Sequence, residues 1–318
     1  MKLTALSTLL FTGAATFAAC SDDGGSGQVT PEGEKYQYVV SAAVIPSTAT
    51  QAKEKGLDLD GDGKVDNQLG QTLATLKSQN IDTQTSVTAS INDGSMVLLA
   101  ELQTKSFTSA SATGLKIFLG DKATVMPAPC TDPAMATTCG QHLKGTGMFT
   151  VAGTSPKDVL VSGPIVGGTF KGGPGKISLS IALTAGQPIQ LDLLGARAQL
   201  KGMSETGVTD GILAGAIAKS DLDTKIIPAI KVQLDGTIAE DCPNGTPAND
   251  CNCMADSGGK QILGLFDSAP KDCKVSVEEI QNNSIIKAFL APDVVIDGVD
   301  ALSLGIGVTM AKGTFTAP

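Results

Sequence analysis

The chain lacks tryptophan and has few of the other residues that commonly mark a binding or catalytic site. It contains one histidine, His142, with two tyrosines and nine phenylalanines among 318 residues. A single histidine cannot build a multi-histidine metal centre. Acidic residues outnumber basic ones by 32 to 23, for a formal net charge of −9. Such a chain lacks the cationic surface and the stacking platforms that bind nucleic acid, so a nucleic-acid partner is not expected.

Small and apolar residues are abundant instead. The chain is 42% hydrophobic and only 17% charged, and it contains 37 glycines. This length and composition predict a sizeable core in roughly one or two domains. Short apolar runs separated by Gly, Pro and Asn-Asp-Gly predict a mainly β fold, an antiparallel sandwich or a barrel-like domain. The predicted strands are 36–45, 84–91, 95–104, 114–119, 146–152, 158–162, 166–171, 176–184, 188–199 and a returning pair within 301–316.

The N-terminus has the pattern of a secretory signal peptide over residues 1–19. Lys2 precedes an apolar stretch of about fifteen residues that is too short for a stable membrane span. Phe17-Ala18-Ala19-Cys20 resembles the lipobox of bacterial lipoproteins, with Phe17 where leucine is usual. The resemblance implies cleavage before Cys20, acylation of Cys20 with palmitate, and a membrane as partner at the outer membrane or cell surface. Ordinary cleavage that leaves a free thiol is the alternative. Residues 20–34 would form a flexible tether.

Seven cysteines become six if Cys20 carries the lipid. An exported chain lies in an oxidising compartment, so three disulfides are expected among Cys130, Cys139, Cys242, Cys251, Cys253 and Cys273. Cys130 and Cys139 would close a small loop. Cys251 and Cys253 are too close in sequence to pair, so each is expected to bond Cys242 or Cys273. A zinc site made of the last four is the competing hypothesis, although their spacing does not match common zinc knuckles.

Residues 58–69, DLDGDGKVDNQL, have the spacing of an EF-hand-type calcium loop. Alternate side chains of a tight loop converge their oxygens on one point, and a glycine, here Gly63, permits the turn. The predicted calcium ligands are Asp58, Asp60, Asp62, Asp66 and the backbone carbonyl of Lys64. Helices are predicted on both sides, within 47–55 and 66–79. Leu69 stands where a sensor EF-hand has its bidentate glutamate, so the loop resembles dockerin-like DxDxDG loops. The resemblance implies weak extracellular affinity, with Kd on the order of 10⁻⁴–10⁻³ M.

A second, degenerate loop of the same kind is predicted over residues 267–280. Asp267, Asp272 and Glu279 are its candidate ligands, although an insertion displaces Asp267 and Cys273 replaces the turn glycine. Helices are predicted on either side, at 260–266 and 276–290. We interpret this unit as a helix-loop-helix in which a disulfide substitutes for the ion, with a weak second metal site as the alternative.

The predicted organisation is one β domain with helical additions. Residues 35–80 form a strand and the helix-loop-helix, and 81–210 form the β domain. Residues 211–300 form a helical, disulfide-rich insertion, in which 211–234 leans towards helix, and 301–318 return as strands. No polar linker separates these parts.

The lipobox and the DxDxDG loop together resemble calcium-loop lipoproteins of Gram-negative bacteria. The resemblance implies a location and an ion but no activity. His142 lies in a polar stretch without a G-x-S-x-G elbow, which favours a surface histidine over a hydrolytic triad. The function expected first is therefore a non-enzymatic structural, adhesion or interaction module that binds Ca²⁺, with a possible envelope or extracellular protein partner. The alternative is a surface or periplasmic hydrolase that uses carboxylates, with calcium as a structural ion.

Overall fold

The computed structural model describes most of the chain after the tether. The described residues are 29–78, 83–121, 125–128, 130, 139–184 and 187–317. The predicted signal peptide and Cys20 lie outside them. Within these ranges, no helix is long and apolar enough to cross a membrane.

The structure is mainly β. In the part of the chain that the structure describes, ten strands form one sheet: β1 Glu34–Val44, β2 Leu98–Thr104, β3 Ala110–Leu119, β4 Gly147–Met148, β5 Val161–Val166, β6 Thr169–Thr184, β7 Gln187–Ser204, β8 Gly207–Ala218, β9 Val294–Ile296 and β10 Val299–Thr314. The α-helices are α1 Ala49–Glu54, α2 Gln68–Ser78, α3 Thr83–Asn92, α4 Lys219–Asp221, α5 Ile227–Asp241, α6 Gly258–Phe266, α7 Val277–Asn282 and α8 Ser284–Phe289. A π-helical turn, Leu222–Ile226, joins α4 to α5, and 3₁₀ turns lie at Gln141–Leu143 and Pro247–Asn252.

The sheet closes on itself. The strands β1, β2, β3, β5, β6, β7, β8 and β10 are neighbours in chain order, and each pair is antiparallel. β10 then pairs with β1 as well as with β8, from Tyr38 opposite Lys312 to Val44 opposite Gly307. The short strands β4 and β9 pair with the two ends of β10. The predicted antiparallel, barrel-like class is thus confirmed.

The interior of the closed sheet is the main core. Alternate residues of each strand point inward, as in Leu98, Ala100 and Leu102 of β2, and these side chains are almost fully buried. Leu222 and Ile226 of the π-helical turn join the same cluster. Because Leu222 follows the end of β8 closely, these helical residues close that end of the barrel.

The strand predicted at 84–91 is wrong, because this segment is helix α3. Its β-branched residues favour a strand locally. The amide of Gln84, however, accepts a hydrogen bond from Ile45 N–H at 2.7 Å and donates one to the Ala43 carbonyl at 2.9 Å. Ile91 is buried at the far end of the helix. These contacts with β1 and the core decide the conformation.

The helical tendency predicted for 211–234 is wrong over its first eight residues, because β8 continues to Ala218. Leu213 and Ile217 face the interior, whereas Ile212, Ala214 and Ala216 are buried beneath other segments on the outside. A strand that is buried on both faces lacks the alternation of apolar and polar residues by which a strand is recognised in a sequence. The helical region therefore begins at Lys219.

Three smaller expectations also need correction. The returning segment is one long strand, β10, rather than a strand pair. The helix predicted over 276–290 divides at Asn283, whose side chain caps α8. The predicted tether over 20–34 extends too far, because Val29 N–H donates to Ser162 Oγ at 3.0 Å and β1 begins at Glu34.

The three expected disulfides are present. Cys130 bonds Cys139, and the paired bridges Cys242–Cys253 and Cys251–Cys273 lie in the helical region. Cys251 and Cys253 do not pair with each other, as expected, and each bonds one of the two predicted partners. The zinc hypothesis is wrong, because all four of its thiols are used in disulfides. Three disulfides indicate an exported protein in an oxidising environment.

Gly305 of β10 provides a direct test of the outer packing. A Cβ on Gly305 would overlap the Lys55 carbonyl, which lies where α1 ends. We expect Gly305→Ala to lower the free energy of unfolding by about 1–3 kcal/mol in urea titrations, through overpacking. The matched control is Gly236→Ala in α5, where a Cβ meets nothing within 4 Å. Gly236→Ala should raise the free energy of unfolding by roughly 0.5–1 kcal/mol, because alanine is favoured over glycine inside a helix. Equal stability of the two variants would contradict this packing.

Candidate functional site

The DxDxDG segment forms a closed loop between α1 and α2. Asp66 N–H donates to the Leu57 carbonyl at 3.0 Å, so the two ends of the loop are bridged. Gly61 and Gly63 have φ values of +85° and +83°. L-residues with side chains rarely adopt that conformation, so the two glycines permit the turn.

Three of the predicted ligands converge. One carboxylate oxygen each from Asp58, Asp60 and Asp66 lies within 4.8 Å of the others. Backbone amides hold all three in place, and Asp60 accepts from Asp62 N–H at 3.0 Å. Asp58 accepts from Gly61 N–H at 2.7 Å and Gly63 N–H at 3.0 Å, and Asp66 accepts from Leu59 N–H at 2.7 Å. Carboxylate oxygens so grouped are the donors that hard cations such as Ca²⁺ prefer.

Asp62 and Lys64 stand apart from this aspartate triad. Asp62 accepts from Lys64 N–H at 2.7 Å and also forms an ion pair with the Lys64 ammonium. Hydrogen bonding to Lys64 lowers the pKa of Asp62, and the same contact raises the pKa of Lys64. Both side chains are exposed. The Asp62 carboxylate, which the sequence predicts as a calcium ligand, therefore forms an ion pair with Lys64 in this structure.

Electrostatic repulsion is built into the triad. Burial raises the pKa of Asp66, and the charges of Asp60, Asp293 and Asp58 raise it further, whereas the Leu59 N–H bond opposes the change. Grouped carboxylates disfavour one another's ionised form. A cation placed among them would relieve this repulsion, so the residues present fit a hard divalent ion.

The loop is docked firmly on the outside of the barrel. Leu59 is 3% exposed and packs with Ile212 of β8 and Val294 and Ile296 of β9. Asn67 is 2% exposed, donates to the Ala52 and Gly305 carbonyls at 2.9 Å, and accepts from Gly305 N–H at 2.9 Å. The geometry of the aspartate triad is therefore tied to β10.

Leu69 explains why position 12 of the loop carries no carboxylate. Its side chain packs against the main core cluster inside the sheet. A glutamate there would bring a charge to the core boundary at a large desolvation cost. Leu69 therefore contributes to core packing, and the loop has fewer carboxylate ligands than a sensor EF-hand.

The second predicted loop has a similar backbone pattern but uses its acids differently. Asp267 is 6% exposed and accepts from Asp272 N–H at 3.2 Å and Cys273 N–H at 3.0 Å. Asp272 accepts from Lys274 N–H at 3.0 Å. The Glu279 carboxylate accepts hydrogen bonds from the backbone N–H and the hydroxyl of both Ser276 and Ser268. The structure therefore does not bring these three carboxylates together as a triad.

Cys273 takes the place of the turn glycine in this second loop. Its φ is +63°, the sign that Gly63 has in the first loop, and its disulfide partner Cys251 has φ of +59°. Cys251, Asp267 and Cys273 form a cluster that could geometrically hold a metal ion. The disulfide removes both thiolates, however, so the cluster cannot act as a thiolate site.

His142 is buried rather than exposed, so its predicted surface position is wrong. It is 1% exposed, its Nε2 lies 3.2 Å from the Ile91 carbonyl, and its ring contacts Phe149 edge to face. Burial lowers its pKa. The turn that carries it packs on the end of α3, which the sequence did not predict as a helix.

Arg197 is the residue near the site that sequence reasoning missed. It lies on β7, and its Nη2 donates to the Leu59 carbonyl at 3.4 Å across 138 residues of sequence. A compositional signal existed, because Arg197 is the only arginine in a chain with 23 basic residues. Arginine is chosen over lysine where a planar, bidentate donor is needed.

Glu279 provides a pH-dependent test of the second loop. Burial raises its pKa, but the hydrogen bonds from Ser276 and Ser268 outweigh burial and hold the pKa below its ordinary 4.5. A carboxyl group whose pKa is lower in the folded state stabilises the fold at pH values above its unfolded-state pKa. This stabilisation is lost as the pH falls through the folded-state pKa. Glu279→Gln should therefore lower Tm at pH 7, and the difference from the unmodified chain should shrink at pH 3.

The control for this test is Glu278→Gln, which removes the same charge from the exposed neighbouring position. It should change Tm little at either pH. Circular dichroism melting curves at the two pH values measure both variants. A Glu279→Gln deficit that is equally large at pH 3 would show that the ionised carboxylate is not the stabilising group.

The candidate site thus combines three converging carboxylates, a backbone fastened to β10 and a neighbouring guanidinium. The carboxylates suit a hard cation, and the guanidinium suits an anion. Comparison with protein-family models, with curated proteins and with solved structures finds no match to this chain.

Proposed function

We propose that this protein is a calcium-binding, lipid-anchored module of the bacterial cell envelope with a structural or interaction role. The observation that carries the proposal is the convergence of Asp58, Asp60 and Asp66 within 4.8 Å on a loop docked against the barrel. Calcium would offset the mutual repulsion of these carboxylates, which adds to the effect of burial in raising the pKa of Asp66. In this role the ion stabilises the outer packing of β8, β9 and β10.

The affinity expected for this loop is in the extracellular range. Three carboxylates with no bidentate glutamate favour a Kd on the order of 10⁻⁴–10⁻³ M. Calcium concentrations outside cells are high enough for such a site. The disulfides agree with that location, because they form in oxidising compartments.

The proposed anchor is compatible with the position of Val29, the first residue that the structure describes. Cys20 would be nine residues from Val29, which is fastened to Ser162 of β5. Nine extended residues span at most roughly 30 Å. The barrel would therefore stay within that distance of the membrane surface, near the side formed by β3 and β5, where envelope or extracellular partners are accessible.

Calcium titration of thermal unfolding tests the metal proposal. For the Kd above, about 10 mM Ca²⁺ should stabilise the full chain by roughly 1.4–2.7 kcal/mol relative to EDTA. Asp60→Asn removes a triad carboxylate and should abolish most of this gain. Asp62→Asn makes the same charge change outside the triad and should retain it. An EDTA melting curve identical to the calcium curve would refute calcium binding.

Metabolic labelling tests the anchor. Bacteria that express the full chain with labelled palmitate should incorporate label into this protein, and Cys20→Ala should remove it. Ser21→Ala is the matched control and should still be labelled. Label that persists in Cys20→Ala would show that Cys20 is not the acylated residue.

A further inference from the structure

Arg197 has hydrogen-bonding capacity that the described residues do not use. A guanidinium carries five N–H donors. Within the described part of the chain, its acceptor is the Leu59 carbonyl at 3.4 Å, and its buried Nε has no partner. Leaving a buried donor without an acceptor costs free energy, so the Nε of this partly buried side chain calls for an explanation.

A cavity beside Arg197 also reaches the calcium loop. It has a volume of ≈ 520 Å³, and Arg197, Lys176 and Asp60 supply charges to its wall. Leu59, Val295 and Ile296 contribute apolar surface. Lys176 already pairs with Asp158 at 2.8 Å. Arg197 is therefore the cation of this cavity that has no ion pair among the described residues.

The strands that form the cavity are locally irregular. The β6–β7 ladder shifts register on both sides of Gly175, and the β7–β8 ladder shifts between Leu194 and Arg197. Gly195 has φ of +56°. Such bulges redirect side chains and occur often beside functional sites. The irregularities at this point of the sheet set the direction of Arg197.

We propose that this cavity binds an organic carboxylate with an apolar body, which Arg197 holds as a bidentate pair. The inference rests on the calcium proposal above. An ion held by Asp58, Asp60 and Asp66 has fewer than the six to eight oxygen ligands that calcium takes. The carboxylate of the ligand supplies the oxygens that Leu69 cannot provide, while its apolar body lies against Leu59, Val295 and Ile296.

Calcium dependence follows from the charges around the cavity. Without a cation, Asp60 and Asp297 in the cavity wall would repel an anionic ligand. With the ion bound, two of the three negative charges of the aspartate triad are compensated, and both the ion and Arg197 attract the ligand carboxylate. Arginine–carboxylate pairs with two parallel hydrogen bonds are stronger and more specific than a lysine contact.

Isothermal titration calorimetry of the full chain with hexanoate tests this proposal. Hexanoate should bind in about 10 mM Ca²⁺ and at least tenfold more weakly in EDTA. Hexan-1-ol has a comparable apolar body without the carboxylate and should not bind. Equal affinity for hexanoate with and without calcium, or equal affinity for the alcohol, would overturn the proposal.

Variants assign the role of the guanidinium. Arg197→Gln should weaken hexanoate binding by tenfold or more, and Arg197→Lys should restore only part of the loss because it keeps the charge without the planar fork. Lys201→Gln removes a positive charge from the exposed part of the same strand and serves as the control. Unchanged hexanoate affinity in Arg197→Gln would refute the site.

Two additional measurements separate the possible failures and the sources of the carboxylate. Calcium stabilisation is measured on each variant without hexanoate. If it persists while hexanoate fails to bind, the carboxylate site is wrong and the calcium proposal stands; if it is absent, calcium binding itself is refuted.

N-acetylvaline is titrated beside hexanoate. Tighter binding of N-acetylvaline identifies a peptide C-terminus as the source, and tighter binding of hexanoate identifies a free organic acid; both support the site.

Discussion

The double pairing of β10 is the constraint on which the rest of the structure depends. By hydrogen bonding to β8 on one side and β1 on the other, β10 converts an open sheet into a closed one. Closure removes exposed sheet edges along this pairing and encloses an apolar interior. It also brings the N-terminal strand, and the loop that follows it, against the last strand of the chain.

The same strand provides the platform for the acidic loop. Gly305 has no side chain and so leaves room for the backbone at the end of α1. Its carbonyl accepts a hydrogen bond from the Asn67 side-chain amide, and its N–H donates one to the same amide. The backbone that carries the aspartate triad is therefore fastened to the outer barrel wall. Carboxylates grouped on such a loop repel one another, which is the physical reason that a cation suits them.

The two loops reach similar turns by different means. In the first, glycine permits the left-handed backbone and the acids stay grouped. In the second, Cys273 adopts the same sign of φ, its disulfide to Cys251 crosslinks the turn, and Glu279 is used in hydrogen bonds to Ser276 and Ser268. Covalent crosslinking and ion binding are alternative ways to hold a short loop, and the helical region uses the covalent one.

Features that depend on residues close together in the chain could be predicted from the sequence. The convergence of Asp58 and Asp60 follows from their spacing, and the Cys130–Cys139 bridge was also predictable. The sequence limited Cys251 and Cys253 to Cys242 or Cys273 as partners, and the fold decides which partner each one takes. The short strands and the β class were also predictable. Only the tertiary structure decided the closure of β10 on β1, the helix at 83–92, the burial of His142 and the placement of Arg197 beside Leu59. Those outcomes depend on contacts between residues far apart in sequence, and no local pattern encodes them.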